Sequence, residues 1–286
     1  MSEQIKTGLI LEGGGMRGMF TCGILDYMME KGLEVDGAVG VSAGACFGCN
    51  YKSRQPGRAL RYNLRFAGDK RYGSFFNLIK HGDIYDPDFC YHKIPEELDL
   101  FDYDALQKNP MEFYMTVTDT ETGKPFYKKL ETGSREELKW MQASASMPLV
   151  SKVVKIEGKG YLDGGIGDSI PLQFFESMGY NRNIVILTQP RNYVKKKNSL
   201  VWLMRFLLRK IPRLVDAVEH RHIMYNEETR YVFEQEKLGK VLVFCPETPL
   251  QISRIEKNKE NLQRVYDLGR KLAQKRIEEI REFLKK

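Results

Sequence analysis

No apolar stretch in this 286-residue chain reaches the ~18 residues that a membrane-spanning helix needs. The sequence therefore predicts no transmembrane segment. Nor does a cation-flanked apolar run stand at the N-terminus. Met1 to Lys6 is polar and leads directly into a strand-like run, so no signal peptide is expected. Histidine is scarce. His81, His92, His220 and His222 share no metal-ligand spacing with the cysteines, and no metal is expected. The five cysteines (Cys22, Cys46, Cys49, Cys90, Cys245) are odd in number and irregularly spaced. That excludes a secreted disulfide framework and points to a reducing cytoplasm. Cys46 and Cys49 form a Cys-x-x-Cys, but inside a predicted helix rather than at its start, where redox chemistry would place it. They read as small buried residues. Acidic residues are absent from 191–213, which carries eight basic ones, and 52–71 has seven basic residues against one acid. With a net charge of +7, such stretches can face lipid or nucleic-acid phosphates.

What the chain does have is a hydrophobic content of 42%, enough to fill the core of one large α/β domain. Lys6 to Leu11 reads as a buried strand, followed by Gly13-Gly14-Gly15-Met16-Arg17-Gly18. A helical pattern then runs from Met19 to Lys31, with Phe20, Ile24, Tyr27 and Met28 at helical spacing. Val35 to Val41 is a second strand, and Ala43 to Asn50 can start a second helix. This alternation predicts a parallel sheet with helices between its strands.

Gly40-Val41-Ser42-Ala43-Gly44 sits at the junction of that second strand and helix. Gly-x-Ser-x-Gly in a strand–turn–helix context is the pattern of a nucleophile elbow, in which a strained turn projects the serine hydroxyl. Ser42 thus reads as a nucleophile, with Gly40 and Gly44 allowing close backbone packing; a Gly-rich loop produces the same pattern by chance. The earlier loop has two readings. As Gly-x-Gly-x-x-Gly between strand and helix it could cradle a dinucleotide, which needs an acid at the end of the second strand. That end is Gly40-Val41-Ser42, and Asp36 lies at the wrong end. The other reading is an oxyanion hole built from consecutive glycine amides. It is favoured because both loops lie at the carboxyl ends of parallel strands.

Further along, 56–67 reads as a helix that brings Arg54, Arg58, Arg61 and Arg65 close to one face, expected to be solvated. Residues 70–110 read as loops and short helices, 112–118 and 125–130 as a hairpin, and 135–143 as a helix capped by Ser134. Strands are expected at 150–156, 160–162, 183–187 and 240–244, and one long amphipathic helix at 254–286, interrupted by Gly269. Between these, 199–211 has a wide apolar face (Leu200, Leu203, Met204, Leu207, Leu208, Ile211) with Arg205, Arg209 and Arg213 opposite and Lys195, Lys196 and Lys197 before it. This suits docking on an anionic membrane or, equally, a helix packed on the domain with a basic outer side. Pro212 should end or restart the helix.

Three motifs now stand in order: Gly13 to Gly18 (GGGMRG), Gly40 to Gly44 (GVSAG) and Asp163-Gly164-Gly165 (DGG). With Leu11-Glu12 and the Ala145-Ser146-Met147-Pro148 segment, they make the chain resemble the patatin-like phospholipases, bacterial members included, over roughly residues 5–190. The resemblance implies a three-layer α/β/α fold with a mostly parallel central sheet. The catalytic domain would span 5–190, and 191–286 would be a mainly helical extension packed on it. It further implies a Ser42–Asp163 dyad, with Ser42 as nucleophile and Asp163 as proton acceptor. Gly13, Gly14, Gly15, Arg17 and Gly18 would form the oxyanion hole. Gly40, Gly44, Gly164 and Gly165 would support the motifs, and neither metal nor cofactor would be needed. The expected substrate is a lipid ester or phospholipid and the expected activity is hydrolysis through an acyl-enzyme, or acyl transfer by the same dyad. The expected place is the cytoplasm or the inner membrane face, reached through basic residues 195–213. A nucleic-acid partner is not expected. A non-catalytic nucleotide-binding or interaction protein is the remaining alternative, against which the intact dyad speaks.

Overall fold

The structure, a computed structural model, describes residues 4–74, 77–79 and 82–285; Met1, His81 and Lys286, named above, lie outside the described residues. The chain forms an eight-stranded mixed sheet from β1 (Thr7–Leu11), β2 (Gly37–Val41), β3 (Glu112–Asp119), β4 (Pro125–Lys129), β5 (Val154–Ile156), β6 (Lys159–Asp163), β7 (Arg182–Ile186) and β8 (Val241–Phe244). The order is β5-β6-β3-β2-β1-β7-β8, with β4 also paired to β3. The run β3-β2-β1-β7-β8 is parallel, while β4, β5 and β6 are antiparallel to their neighbours.

Strand parity divides the core in two, because successive side chains point to opposite faces. Leu9, Leu11, Ile184, Ile186, Leu242 and Phe244 join one apolar cluster, whereas Ile10, Val185, Val241 and Val243 join another. The first face carries α1 (Gly18–Glu30), α2 (Ala43–Lys52), α3 (Arg58–Phe66), α5 (Arg135–Ser144), α9 (Lys259–Lys275) and α10 (Ile277–Leu284). The second carries α6 (Leu172–Ser177) and α8 (Pro212–Lys237). The architecture is therefore three-layer α/β/α, as the resemblance to the patatin-like phospholipases implies. Short helix α4 (Tyr103–Lys108) precedes β3, and α7 (Val201–Leu207) precedes α8. Among the described residues no helix is long and apolar enough to cross a membrane.

The segment after residue 190 supplies more than helices: β8 extends the sheet beside β7, and α8 and α9 cover opposite faces. Several local expectations are revised. The long C-terminal helix is two, broken at Arg276. Gly269 does not interrupt α9; it lets α9 cross α1 closely, since a Cβ there would collide with the Phe20 carbonyl. The strand expected from 150 begins only at Val154. Of the arginine set, Arg54, Arg61 and Arg65 are exposed as expected, and Arg58 is the exception. Arg58 is 4% exposed and donates to the Asp99 and Leu100 carbonyls, and Arg61 forms a two-pronged pair with the Asp99 carboxylate.

Candidate active site

Strand register brings Ser42 and Asp163 together. β4 occupies one side of β3, so β2 and β6 share the other. β2 runs parallel to β3 and ends where Val41 pairs with Thr116. β6 runs antiparallel and ends where Asp163 pairs with Val117. The two strands meet head to head along one edge of β3, and the residues that leave them are neighbours. Ser42 and Asp163 line one cleft, and the Ser42 hydroxyl draws the Asp163 carboxyl down against its burial.

Each partner is held by its backbone. Ser42 has φ 54° and ψ −121°, a left-handed conformation that non-glycine residues rarely adopt. Gly44 makes this turn feasible, because a Cβ there would collide with the Leu11 carbonyl at the end of β1. Gly40 likewise leaves no room for a side chain against Ala45. The Ser42 amide donates to Ser144 Oγ at 2.9 Å, and the Asp163 amide donates to the Ser146 carbonyl at 2.8 Å. One turn, at the end of α5, thus anchors both residues. Asp163 is 4% exposed. Its Oδ1 accepts the Gly165 amide at 2.9 Å. Burial pushes its carboxyl above the ordinary carboxylate range, opposed by the Arg221 charge, the Ser42 hydroxyl and the Gly165 amide. Gly164 lies tight against the Thr116 carbonyl of β3.

The glycine loop lies against this pair. A Cβ on Gly13 would stand 2.8 Å from the Val41 carbonyl and 2.9 Å from Ser42 Cβ. Gly14 and Gly15 have φ of 155° and 59°, and neither amide donates a hydrogen bond among the described residues. The next amide, Met16, is occupied by the Arg254 carbonyl at 3.2 Å. Arg17 closes back on the loop: its Nε donates to Thr188 Oγ1 at 3.5 Å and its guanidinium fills the space beside Gly14. Gly18 packs on the Phe47 ring. Asp36, the acid weighed for a dinucleotide ribose, instead accepts the Thr7 amide at 2.7 Å and hydroxyl at 2.8 Å, at the far end of the sheet.

Two spaces adjoin Ser42. A polar cleft is lined by Glu12, Gly13 to Gly15, Arg17, Ser42, Met147, Asp163, Gly165, Ser169, Lys195, Arg221 and Arg254. An apolar cavity of about 130 Å³ shares Gly15 with it and runs past Ala43, Cys46, Phe47, Tyr91 and Met141. Burial pushes the Cys46 and Cys49 thiols up to about 12, so both stay protonated and behave as cavity wall. Sequence reasoning missed Ser144, although it lies beside the Ala145–Pro148 segment quoted above. It gave Glu12 no role. That carboxylate is buried, accepting from Tyr225 at 2.9 Å and from the Thr188 amide and hydroxyl, and Thr188 in turn donates to the Gly13 carbonyl at 2.9 Å. Lys195, Arg221 and Arg254 carried no sequence signal for this site, because they come from a loop, the middle of α8 and the approach to α9.

Comparison with known proteins gives the chain its relatives. The Escherichia coli (strain K12) uncharacterized protein YjjU is 29% identical over 276 residues, 93% of this chain and 75% of that protein. Lysophospholipase nte1 of Aspergillus fumigatus is 28% identical over 180 residues, 60% of this chain, which spans only 11% of that enzyme's length. Among solved structures, Legionella pneumophila VipD aligns with 95% of this chain and 66% of its own at a TM-score of 0.45 and 13% identity. A profile of a domain of unknown function, DUF6363, matches residues 211–285. Because the profile of the patatin-like phospholipases matches residues 9–175, more than half the chain, this protein belongs to the patatin-like phospholipase family.

Proposed function

We propose that the protein is a lipid ester hydrolase that works through a Ser42–Asp163 dyad and an acyl-enzyme. The observation that carries this reading is the convergence of Ser42 and the buried Asp163 carboxylate on one cleft, beside Gly14 and Gly15 amides that donate to nothing among the described residues. Asp163 is a stronger base than an exposed carboxylate, because burial raises its proton affinity. It takes the hydroxyl proton as Ser42 Oγ attacks the ester carbonyl. The developing oxyanion is met by the Gly14 and Gly15 amides, with Gly13, Arg17 and Gly18 shaping the loop; one such donor is worth ~3 kcal/mol at the transition state. The proton on Asp163 passes to the departing alcohol. Water, deprotonated by the same carboxylate, then attacks the acyl-enzyme, and Asp163 returns that proton to Ser42 Oγ as the fatty acid leaves. The apolar cavity beside Ala43 and Cys46 receives the acyl chain.

Access from a lipid surface falls to α7 and its flanks, where Leu200 and Leu207 of the apolar face expected from sequence are exposed. Met204 is buried, and Arg205 is neutralised by Asp216 and Glu219 of α8. The outward side instead shows Trp202 and Phe206, 70% and 72% exposed, with Leu200 and Leu207 beside them. Aromatic side chains of this kind sit at bilayer interfaces.

Two measurements test the proposal together. A fluorophosphonate probe labels wild type at Ser42 and leaves Ser42→Ala unlabelled, and a panel of lipid esters releases fatty acid with wild type only. Labelling of Ser42→Ala at the wild-type rate would refute the nucleophile assignment. Release of acylated acceptor instead of free acid, when an alcohol or lysolipid is added, would make the enzyme a transacylase.

A further inference from the structure

The polar cleft has a charge imbalance that the dyad mechanism does not use. Four cations line it, Arg17, Lys195, Arg221 and Arg254, against two carboxylates, Glu12 and Asp163. Glu12 is already committed to Thr188 and Tyr225, and Asp163 accepts the Gly165 amide and feels the Arg221 and Arg254 charges, which leaves two carboxylates to balance four cations. Several arginines elsewhere have carboxylate partners, among them Arg61 with Asp99, Arg191 with Glu236, Arg205 with Glu219 and Arg270 with Glu30. Among the described residues none of the four cleft cations forms a salt bridge. The Arg221 Nε is buried with no hydrogen-bond partner, while its Nη2 lies 2.7 Å from the place a Cβ on Gly165 would occupy. The Lys195 ammonium sits 4.1 Å over the Tyr225 ring, its backbone clamped by Asn226 at 2.9 and 3.1 Å. Burial, and then the neighbouring Arg221, push it down to about 8. Arg254 reaches only Met147 Sδ, at 3.7 Å.

Like charges gathered in a partly desolvated cleft are costly unless an anion completes the set, and guanidinium groups are suited to phosphate oxygens. We infer that Lys195, Arg221 and Arg254 form an anion subsite that binds the phosphate of a phosphorylated acyl ester beside the scissile carbonyl. Arg17, engaged with Thr188, braces the glycine loop beneath it. The inference rests on the acyl-hydrolase reading, and it gives the region after residue 190 a part in choosing the substrate: charge at the headgroup, while the glycine loop and dyad act on the ester.

The test compares kcat/KM for a monoacyl glycerophosphate and for the monoacylglycerol of the same chain length. Wild type, Arg221→Gln and Lys195→Met are each assayed with both. Removing a charge-assisted contact to phosphate costs roughly tenfold or more, so wild type prefers the phosphorylated ester and the ratio of the two constants falls about tenfold or more in each variant, chiefly through KM. Arg221 also faces Asp163, so its loss affects both substrates, and the ratio is the quantity that isolates the headgroup. A ratio unchanged in both variants overturns the proposal and makes the cations servants of the dyad alone. Inorganic phosphate distinguishes the sources of the anion. If it competes with both esters equally and wild type shows no preference between them, the site takes free phosphate and the headgroup assignment fails. Should wild type turn over neither ester, the hydrolase reading fails separately. Calorimetric titration with inorganic phosphate then tests the subsite by itself: binding weakened in Arg221→Gln and Lys195→Met keeps it, and binding the same in all three sinks it.

Discussion

Replacing Asp163 by asparagine separates chemistry from folding. The change is nearly isosteric, and the asparagine Oδ1 can still accept the Gly165 amide that Asp163 accepts at 2.9 Å. What the substitution removes is basicity. The new amide nitrogen also turns a donor toward Ser42, so the serine hydroxyl no longer has an acceptor there. General-base catalysis contributes typically 10²–10⁴-fold, and with no histidine in the cleft nothing replaces it. We expect kcat on a soluble acyl ester to fall by about 10² to 10⁴. Stability should move the other way or not at all. The buried carboxyl is held above its ordinary range, so at pH 7 its ionised form costs folding free energy, and asparagine removes that cost. Against it stands the favourable field of Arg221 on the ionised carboxylate, which asparagine forgoes. The melting temperature should therefore stay within a few degrees of wild type, where ~1 kcal/mol corresponds to about 2–4 °C for a chain of somewhat smaller size. The assay pairs initial rates with thermal melts at the same pH. Activity within tenfold of wild type would refute the dyad, and loss of activity accompanied by a large drop in melting temperature would show that Asp163 acts by holding the fold.

Four other outcomes follow from the same geometry. Because burial raises the Asp163 carboxyl, kcat/KM should rise with pH through a pKa above the ordinary carboxylate range and vanish below it; a profile flat down to pH ~4 contradicts this. Asp26, 2% exposed and hydrogen-bonded by Tyr266 at 2.9 Å, is pushed up to about 6 by burial. Its protonated form is favoured by the fold, so stability present below pH ~4 is lost as pH rises through ~6, on the order of 3 kcal/mol; denaturation midpoints should show that loss in wild type and not in Asp26→Asn. Gly269→Ala drives a methyl into the Phe20 carbonyl, backbone that cannot swing aside, and should destabilise by at least about 1–3 kcal/mol in urea titration. Trp202→Glu with Phe206→Glu should reduce sedimentation with anionic vesicles while fluorophosphonate labelling persists; unchanged sedimentation would remove α7 from the interface.

What was legible in sequence was whatever depends on neighbours along the chain. A serine between two glycines, after an apolar run and before small residues, specifies its own strained turn, so Ser42 could be read directly. The glycine loop announced its free amides in the same way. The strands came from local apolar runs, and their parity later sorted side chains between the two cores. Asp163 was different: Asp-Gly-Gly describes only a turn, and it drew meaning from a family resemblance rather than from its own surroundings. Tertiary structure decided the rest because the relevant forces act between segments far apart. Head-to-head ends of β2 and β6 along β3 brought a hydroxyl and a carboxylate 121 positions apart into one cleft. Asp99 and its neighbouring carbonyls drew Arg58 out of an otherwise solvated arginine face into a buried clamp, and acids of α8 neutralised Arg205 of α7. Lys195, Arg221 and Arg254 became a cluster only when a loop, a helix and a turn from the last third of the chain folded over the glycine loop, since electrostatic potential adds over distance in space and not along the polypeptide.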